Sequence, residues 1–304
     1  MNYLIGIDGG GTKTRCVAAD INGNPLYETT GGPSNFLVHS LDKVSENIII
    51  LLKDCTKNLN CDFNDFSCVV LGTAGAGRKE DAEKLKDHFI KFTKGQIKNF
   101  YVESDARIAL EGAFTEKPGS ILISGTGSIM FGKDAEGEIH RVGGFGRQVG
   151  DEGSGYSIGK KGLQVISKFY DGRGKDTSLV KLVSDNFEIN NDEELINAVY
   201  KNNFDIASLA QLVIIAAEKN DEACIKIIDD ETEELILHIE AMRKKLKLRT
   251  MEVSFSGGII TNENYFSRLL HKKVKERFNN VVIKELSQSP AMGAVIIAKD
   301  IMNV

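Results

Sequence analysis

The segment Ile5-Gly6-Ile7-Asp8-Gly9-Gly10-Gly11-Thr12-Lys13-Thr14 runs an apolar strand into an acid, three glycines, a hydroxyl and a cation. Glycines reach backbone dihedrals closed to other residues, and they let N–H groups converge on an anion with no side chain in the way. The segment therefore reads as a phosphate cradle whose turn is Gly9, Gly10, Gly11, Thr12 and Lys13. Asp8, at the strand's end, is placed to reach a divalent cation bridging phosphate oxygens, through water as hard cations prefer. A plain glycine-rich hairpin has the same composition, and Lys13 also reads as a solvated charge on a strand edge. What argues against the plain hairpin is a second copy.

Ser120-Ile121-Leu122-Ile123-Ser124-Gly125-Thr126-Gly127-Ser128 is again a strand delivered into a Gly/hydroxyl turn, and Ile129-Met130-Phe131 supplies the returning strand. The parallel continues. The first copy goes on through Asp20-Ile21-Asn22-Gly23-Asn24 to a strand at 25–30, the second through Asp134-Ala135-Glu136-Gly137-Glu138 to one at 139–142. An internal repeat of this kind predicts two lobes, with two hairpins presented across a cleft to one polyphosphate.

Composition narrows the class. A net charge of −5, from 38 Lys+Arg against 43 Asp+Glu, lacks the basic stripe of a nucleic-acid binder. The apolar runs 48–52 and 212–217 fall far short of the ~20 residues that span a bilayer. No secretory pattern is read at the amino end, so a cytoplasmic protein is expected. Five cysteines without a C-x-x-C pair indicate neither a zinc site nor a disulfide framework.

Between the copies, helical spacing over 41–59 and 79–92 alternates with strands at 67–73 and 100–103, and Ser104-Asp105 opens a further helix. This is α/β order, in which ligands sit beyond the carboxyl ends of the strands. Asp8, the glycine run 72–77 and Asp105 all fall there. After the second copy, 143–155 is too rich in glycine for a regular element. The stretch 154–247 reads as a helical insert whose last helix starts at Asp221. A strand at 253–256 ends in Gly257-Gly258, Asn262 starts another helix, a late strand lies at 281–283, and Pro290 opens a closing helix. The predicted lobes are 1–117, joined by the helix at about 290–304, and 118–289. Hinges are expected near 116–119 and 287–290.

These motifs together resemble the acetate and sugar kinase, heat-shock ATPase and actin superfamily, and within it the N-acetylglucosamine kinase family. The matching segments are Asp8 to Lys13, Ser34-Asn35, Ser104-Asp105-Ala106, Ile123 to Ser128, Gly143 to Gly146 and Gly150 to Ser154, in the family's order and over nearly the whole chain. Phe145 stands where that family carries Trp. The resemblance implies an α/β protein of two ribonuclease H-like lobes in the actin-like ATPase architecture, with an interdomain cleft and a helical insert in the second lobe. It implies an ATP- and Mg²⁺-dependent homodimeric kinase acting on O6 of an amino sugar, N-acetylglucosamine or N-acetylmuramic acid, with cell-wall recycling as the setting. Glucosamine kinase is the alternative; a 2-hydroxyacyl-CoA dehydratase activator is disfavoured because the second half has only Cys224.

Such a kinase needs one carboxylate to take the hydroxyl proton. The resemblance gives that role to Asp105, although its position also suits a plain N-cap. It implies sugar binding by Asn35, Asp105 and Asp151, completed by Thr126, Gly127, Gly144 and Gly155. Asn35 also reads as a turn residue and Asp151 as a cap for the helix from Ser154. Gly125, Thr126 and Gly127 would face phosphate, Ser256, Gly257 and Gly258 would pass under the adenine or ribose, and Asp8 would hold the metal. None of the five histidines is assigned chemistry.

Overall fold

The computed structural model describes residues 2–36, 38–115 and 117–302; Glu116, within one expected hinge, lies outside them. The chain forms two compact units, residues 1–117 with 285–304 and residues 118–284.

The first unit begins with β1 (Tyr3–Gly9), β2 (Thr14–Ala19) and β3 (Pro25–Gly31), followed by α1 (Leu41–Leu59), β4 (Phe66–Thr73), α2 (Lys79–Phe92), β5 (Phe100–Ser104) and α3 (Asp105–Ala113). Its sheet has the order β3-β2-β1-β4-β5, with β1, β2 and β3 antiparallel and β1, β4 and β5 parallel. The central strand is buried on both faces, so β1 reads as a continuous apolar run rather than an alternating one. Ile5 and Ile7 pack with Val44, Ile48, Leu85 and Phe89 on the α1/α2 side. Leu4 points to the opposite face, as a period of two requires.

The second unit repeats the plan with β6 (Gly119–Ser124), β7 (Ser128–Lys133) and β8 (Ile139–Gly143). The insert follows as α4 (Gly155–Tyr170), α5 (Ser178–Phe187), α6 (Asp192–Tyr200), α7 (Leu209–Glu218) and α8 (Glu222–Leu246). Then come β9 (Met251–Ser256), the single turn α9 (Gly258–Thr261), α10 (Tyr265–Arg277) and β10 (Val281–Lys284). Read from its far edge, this sheet runs β8-β7-β6-β9-β10, the order of the first sheet strand for strand. The internal repeat therefore extends over five strands, two more per copy than the three-strand pattern in the sequence. The expected α/β class, paired lobes and helical insert are all present.

One expected boundary is wrong. Asn262 does not start a helix: its amide donates to the Gly258 carbonyl (2.9 Å) and closes α9. The N-cap of α10 is Asn264, which accepts from the Ser267 N–H at 2.9 Å while Ser267 Oγ takes the Asn264 N–H. Two asparagines two residues apart offer the same capping chemistry, and the turn of helix that precedes Asn262 claims it as a C-cap and leaves Asn264 to start α10.

The closing helix α11 (Pro290–Met302) returns to the first unit and packs Ala291, Ala294, Val295 and Ala298 against Leu4, Val70 and Ile108. Ser287 Oγ and the Gln288 N–H both donate to the Gly112 carbonyl (2.8 and 3.0 Å), tying the preceding segment to α3. The approach of α11 to α3 is so close that a Cβ on Gly293 would lie 1.8 Å from the Ile108 carbonyl oxygen. This contact fixes α3, and with it Asp105 at the helix's first residue. Gly293→Ala should accordingly destabilise the chain by at least the ~1–3 kcal/mol usual for overpacking. Denaturant unfolding checks it; a midpoint equal to the parent's would mean that the two helices separate without cost.

Candidate active site

In the first unit, Asp8 ends β1 opposite Arg15 on β2 and beside Gly72 on β4. Among the described residues no hydrogen-bond donor reaches its carboxylate. Burial and then the charge of Asp105 push its pKa up to about 6, against the smaller opposing pull of Arg15 and Lys13. Asp105 is also raised above the ordinary carboxylate value by loss of hydration, although it keeps a solvent-facing edge and accepts the Ala106 N–H at 2.8 Å. Two acids therefore sit near one another with too little positive charge between them. The capping alternative for Asp105 falls away, because Ser104 is the N-cap and accepts the Arg107 N–H at 3.1 Å.

The hairpin between β1 and β2 closes through the Gly10 N–H and the Lys13 carbonyl at 3.0 Å, leaving Gly11, Thr12 and Lys13 exposed. At its base, buried Thr14 donates through Oγ1 to the Gly32 carbonyl (2.7 Å) and touches Ser34 Oγ. Thr73 Oγ1 donates to the Ser34 carbonyl at 3.1 Å, and the Ser34 N–H to the Gly10 carbonyl at 3.1 Å. The segment carrying Asn35 is thereby bolted to the hairpin. Asn35 is half-buried, and its carbonyl accepts the Val38 and His39 N–H groups, so it has a turn role in its backbone as well.

The second unit has the same arrangement in different residues. Ser124 and Ser128 face each other across the β6/β7 register at the base of the Gly125-Thr126-Gly127 turn. Their hydroxyls do not point toward the turn: Ser124 donates to the Gly153 carbonyl (2.6 Å) and Ser128 to the Glu152 carbonyl (2.5 Å). The turn's own carbonyls take N–H groups from the start of α4, Gly155 to Gly125 (2.8 Å) and Tyr156 to Thr126 (3.1 Å). The Gly155 N–H is consequently spent on the hairpin. Asp151 lies against Gly127, accepts the Gly146 N–H at 3.1 Å, and has its carboxyl raised by burial. It is not the cap of α4, because Ser154 fills that role. Gly144 is half-buried and Phe145 exposed, its ring under the Arg141 guanidinium.

The dihedral freedom expected of these glycines is not used: none of Gly9, Gly10, Gly11, Gly125 or Gly127 adopts a positive φ. A Cβ would crowd Ser34 Oγ at Gly9 (2.9 Å), the Lys13 carbonyl oxygen at Gly10 (2.7 Å) and Asp151 Oδ2 at Gly127 (2.9 Å), whereas Gly11 and Gly125 provide open space. A Cβ on Gly11 or Gly125 would meet no protein atom within 4 Å. Gly257 is the opposite case, with φ +97° and a Cβ position only 2.3 Å from the Ser124 carbonyl, so the protein itself demands glycine there. Gly258, whose nearest neighbour would be Asn262 Nδ2 at 3.7 Å, is again open. Ser256 ends β9, paired with Ile123.

Gly125, Thr126 and Gly258 border a cavity of about 540 Å³ within the second unit, walled by Ile214, Ile259 and Gln211. Flat apolar walls with an amide suit a purine ring, and the hairpin at the cavity's edge suits its phosphates. The contribution of α7 was missed from the sequence, where Leu212 to Ala217 reads only as core. The one available signal was Asn262-Glu263-Asn264, a polar cluster directly after the glycine pair.

Repeated sheets and paired hairpins are the frame of a protein that its relatives show to be an ATP-dependent sugar kinase. The chain belongs to the BadF/BadG/BcrA/BcrD ATPase family, whose model matches residues 5–298. An N-acetylmuramic acid/N-acetylglucosamine kinase of Clostridium acetobutylicum is 35% identical, over 98% of this chain and 99% of its own length. An N-acetyl-D-glucosamine kinase of Dictyostelium discoideum is 32% identical over 97% of each chain. Among solved structures, a Chromobacterium violaceum protein ascribed to the N-acetylglucosamine kinases shares the fold with a TM-score of 0.77, 23% identity and coverage of 98% and 99%. No helix among the described residues is long and apolar enough to cross a membrane.

Two expectations follow. Gly125→Ala should leave thermal stability equal to or slightly above the parent's, because the added methyl meets no protein atom and restricts the unfolded chain, yet weaken ADP binding measured by calorimetry; unaltered affinity would make the hairpin an ordinary turn. Asp8→Asn should raise the melting temperature of the ligand-free protein. The sign follows from the raised pKa: the folded state holds its proton to about pH 6, the unfolded state only to the ordinary aspartate value of 3.8, so ionisation opposes folding increasingly between these limits. The gain should grow from about pH 4 to about pH 6 and stay level above, and a melting gain independent of pH would contradict it.

Proposed function

We propose that this chain transfers the γ-phosphoryl group of ATP to O6 of N-acetylglucosamine, N-acetylmuramic acid, or both. The observation that carries the reading is the state of Asp105: at the head of α3, freed from capping by Ser104, and raised in proton affinity despite a helix N-terminus that favours its charge. A carboxylate so tuned lies closer to the working pH of a general base than an ordinary aspartate. It would accept the proton of the sugar hydroxyl as that oxygen attacks.

The remaining roles divide by chemistry. Backbone N–H groups of the Gly9–Lys13 and Gly125–Gly127 turns would hold phosphate oxygens, with Lys13 adding a mobile cation. Asp8 fits a hydrated Mg²⁺, since its carboxylate has no donor and is repelled by Asp105; the cation would neutralise charge building on the phosphates. Asn35 and Asp151, each on a loop bolted to a hairpin, offer the amide and carboxylate that discriminate sugar hydroxyls, and the Gly144 backbone would complete their set.

An electron-transferring activator is a poorer fit. The second unit's single cysteine, Cys224, is buried in α8 with its thiol pushed well above the usual range, unsuited to ligate a shared cluster.

Asp105→Asn should lower kcat by ~10²- to 10⁴-fold while ADP affinity stays near that of the parent. A coupled ADP-release assay across N-acetylglucosamine, N-acetylmuramic acid and glucosamine, with carbon NMR of the product, reads the sugar and the position. Phosphate on another carbon, or near-parent turnover in the Asn variant, would defeat the respective part of the proposal.

A further inference from the structure

The glycine-dense loop that carries Asp151 has its far end fixed by a residue outside every motif. Glu231 lies in the middle of α8 and is 1% exposed, a burial that an acid tolerates only when its oxygens are satisfied. One carboxylate oxygen accepts the Gly153 N–H; the other accepts Ser157 Oγ at 2.8 Å and meets Lys161 Nζ at 2.7 Å. The same face of α8 presents Leu235 and His238 one and two turns on. A Cβ on Gly153 would lie 2.3 Å from Leu235, and one on Gly143 only 2.2 Å from His238 Nε2. Both ends of the loop are thus pressed onto α8, and from that helix Glu231 supplies a charged bond to its backbone.

We infer that Glu231 is a positioning residue for sugar binding: by holding the Gly153 N–H it sets the Gly150–Ser154 turn and so the direction of Asp151. The inference rests on the proposed sugar role of Asp151. The transmission is short. Gly153 is two residues from Asp151, whose φ of +61° is a left-handed conformation that few residues other than glycine adopt, though aspartate takes it more readily than most. The Gly153 carbonyl is held from the other side by Ser124, so residue 153 is clamped through both of its flanking peptide units, at N–H and at C=O. Loss of Glu231 would leave the Gly153 N–H buried without an acceptor and release one jaw.

The test compares three variants, reading the KM for sugar, kcat, ADP affinity without sugar, and melting temperature. Glu231→Leu should raise the sugar KM about ten- to a hundredfold while ADP affinity changes less than about threefold. Glu231→Gln should stay within about threefold of the parent on both, because its carbonyl can take the Gly153 N–H and its amide can donate to Ser157. Glu231→Asp keeps the charge but withdraws the acceptor by one methylene; it should raise the sugar KM about tenfold, and it decides the matter if the Leu variant does not fold. An unchanged sugar KM in the Asp variant, or an equal rise in Gln and Leu, overturns the inference. Asp151→Asn runs alongside: if it too leaves the sugar KM unchanged, the sugar role of Asp151 has failed; if it raises the KM while the Glu231 variants do not, only the positioning role has.

Discussion

Buried hydroxyls at the bases of two hairpins hold the functional parts of this protein together. Thr14 binds the Gly32 carbonyl in the first unit; Ser124 and Ser128 bind those of Gly153 and Glu152 in the second. Each bond is worth only ~1 kcal/mol net, but a buried hydroxyl or carbonyl left without its partner costs more than the bond contributes. The alternatives to this arrangement are therefore penalised more strongly than the arrangement itself is favoured. A loop with few regular hydrogen bonds is held to a strand end by this asymmetry, and the loop's polar side chain inherits the rigidity of the sheet.

The electrostatics run the other way. Burial raises both Asp8 and Asp105, the charge of Asp105 further opposes ionisation of Asp8, and the cations facing Asp8 from its own unit, Arg15 and Lys13, do not cancel the effect. Arg15 is engaged elsewhere, bound to Glu28 across the β2/β3 pair. In the ligand-free fold this is a cost, of the kind proteins carry where function requires it. An arriving cation would remove it, which makes the site more receptive to a metal–phosphate complex than two satisfied carboxylates would be.

How much of this was legible depended on whether a residue's role is local. Both hairpins, the repeat and the helix start at Ser104-Asp105 are read from neighbouring residues, and the structure contains them. Which residue caps a helix was less legible: adjacent Ser and Asp carry equivalent acceptors at 104–105, and only the fold assigns the cap to Ser104. Glu231 was invisible for a stronger reason. It sits in Asp229-Asp230-Glu231-Thr232-Glu233-Glu234, a run that reads as a solvated face, and Asp229 and Glu233 do pair with Lys273 on the surface. Burial of the third acid in that run comes from contacts with Gly153, Ser157 and Lys161, some 70 to 78 residues earlier in the chain, and no local period announces it.

Glycine itself shows why a motif can be right for a reason other than the one first given. Where the protein needs a glycine, a methyl would strike backbone, as at Gly257 and Gly293, and selection for folding alone would explain the residue. At Gly11 and Gly125 no such demand exists: the backbone lies outside the left-handed region and the space beside each α-carbon is empty of protein. A residue with a side chain would fold there equally well and would lose less entropy on doing so. The absence of a structural demand at a position that nevertheless carries glycine in both hairpins points to a demand from outside the chain. A phosphate group approaching the backbone N–H groups, as proposed for these turns, would supply it at the ends of the strands where the fold places its acids.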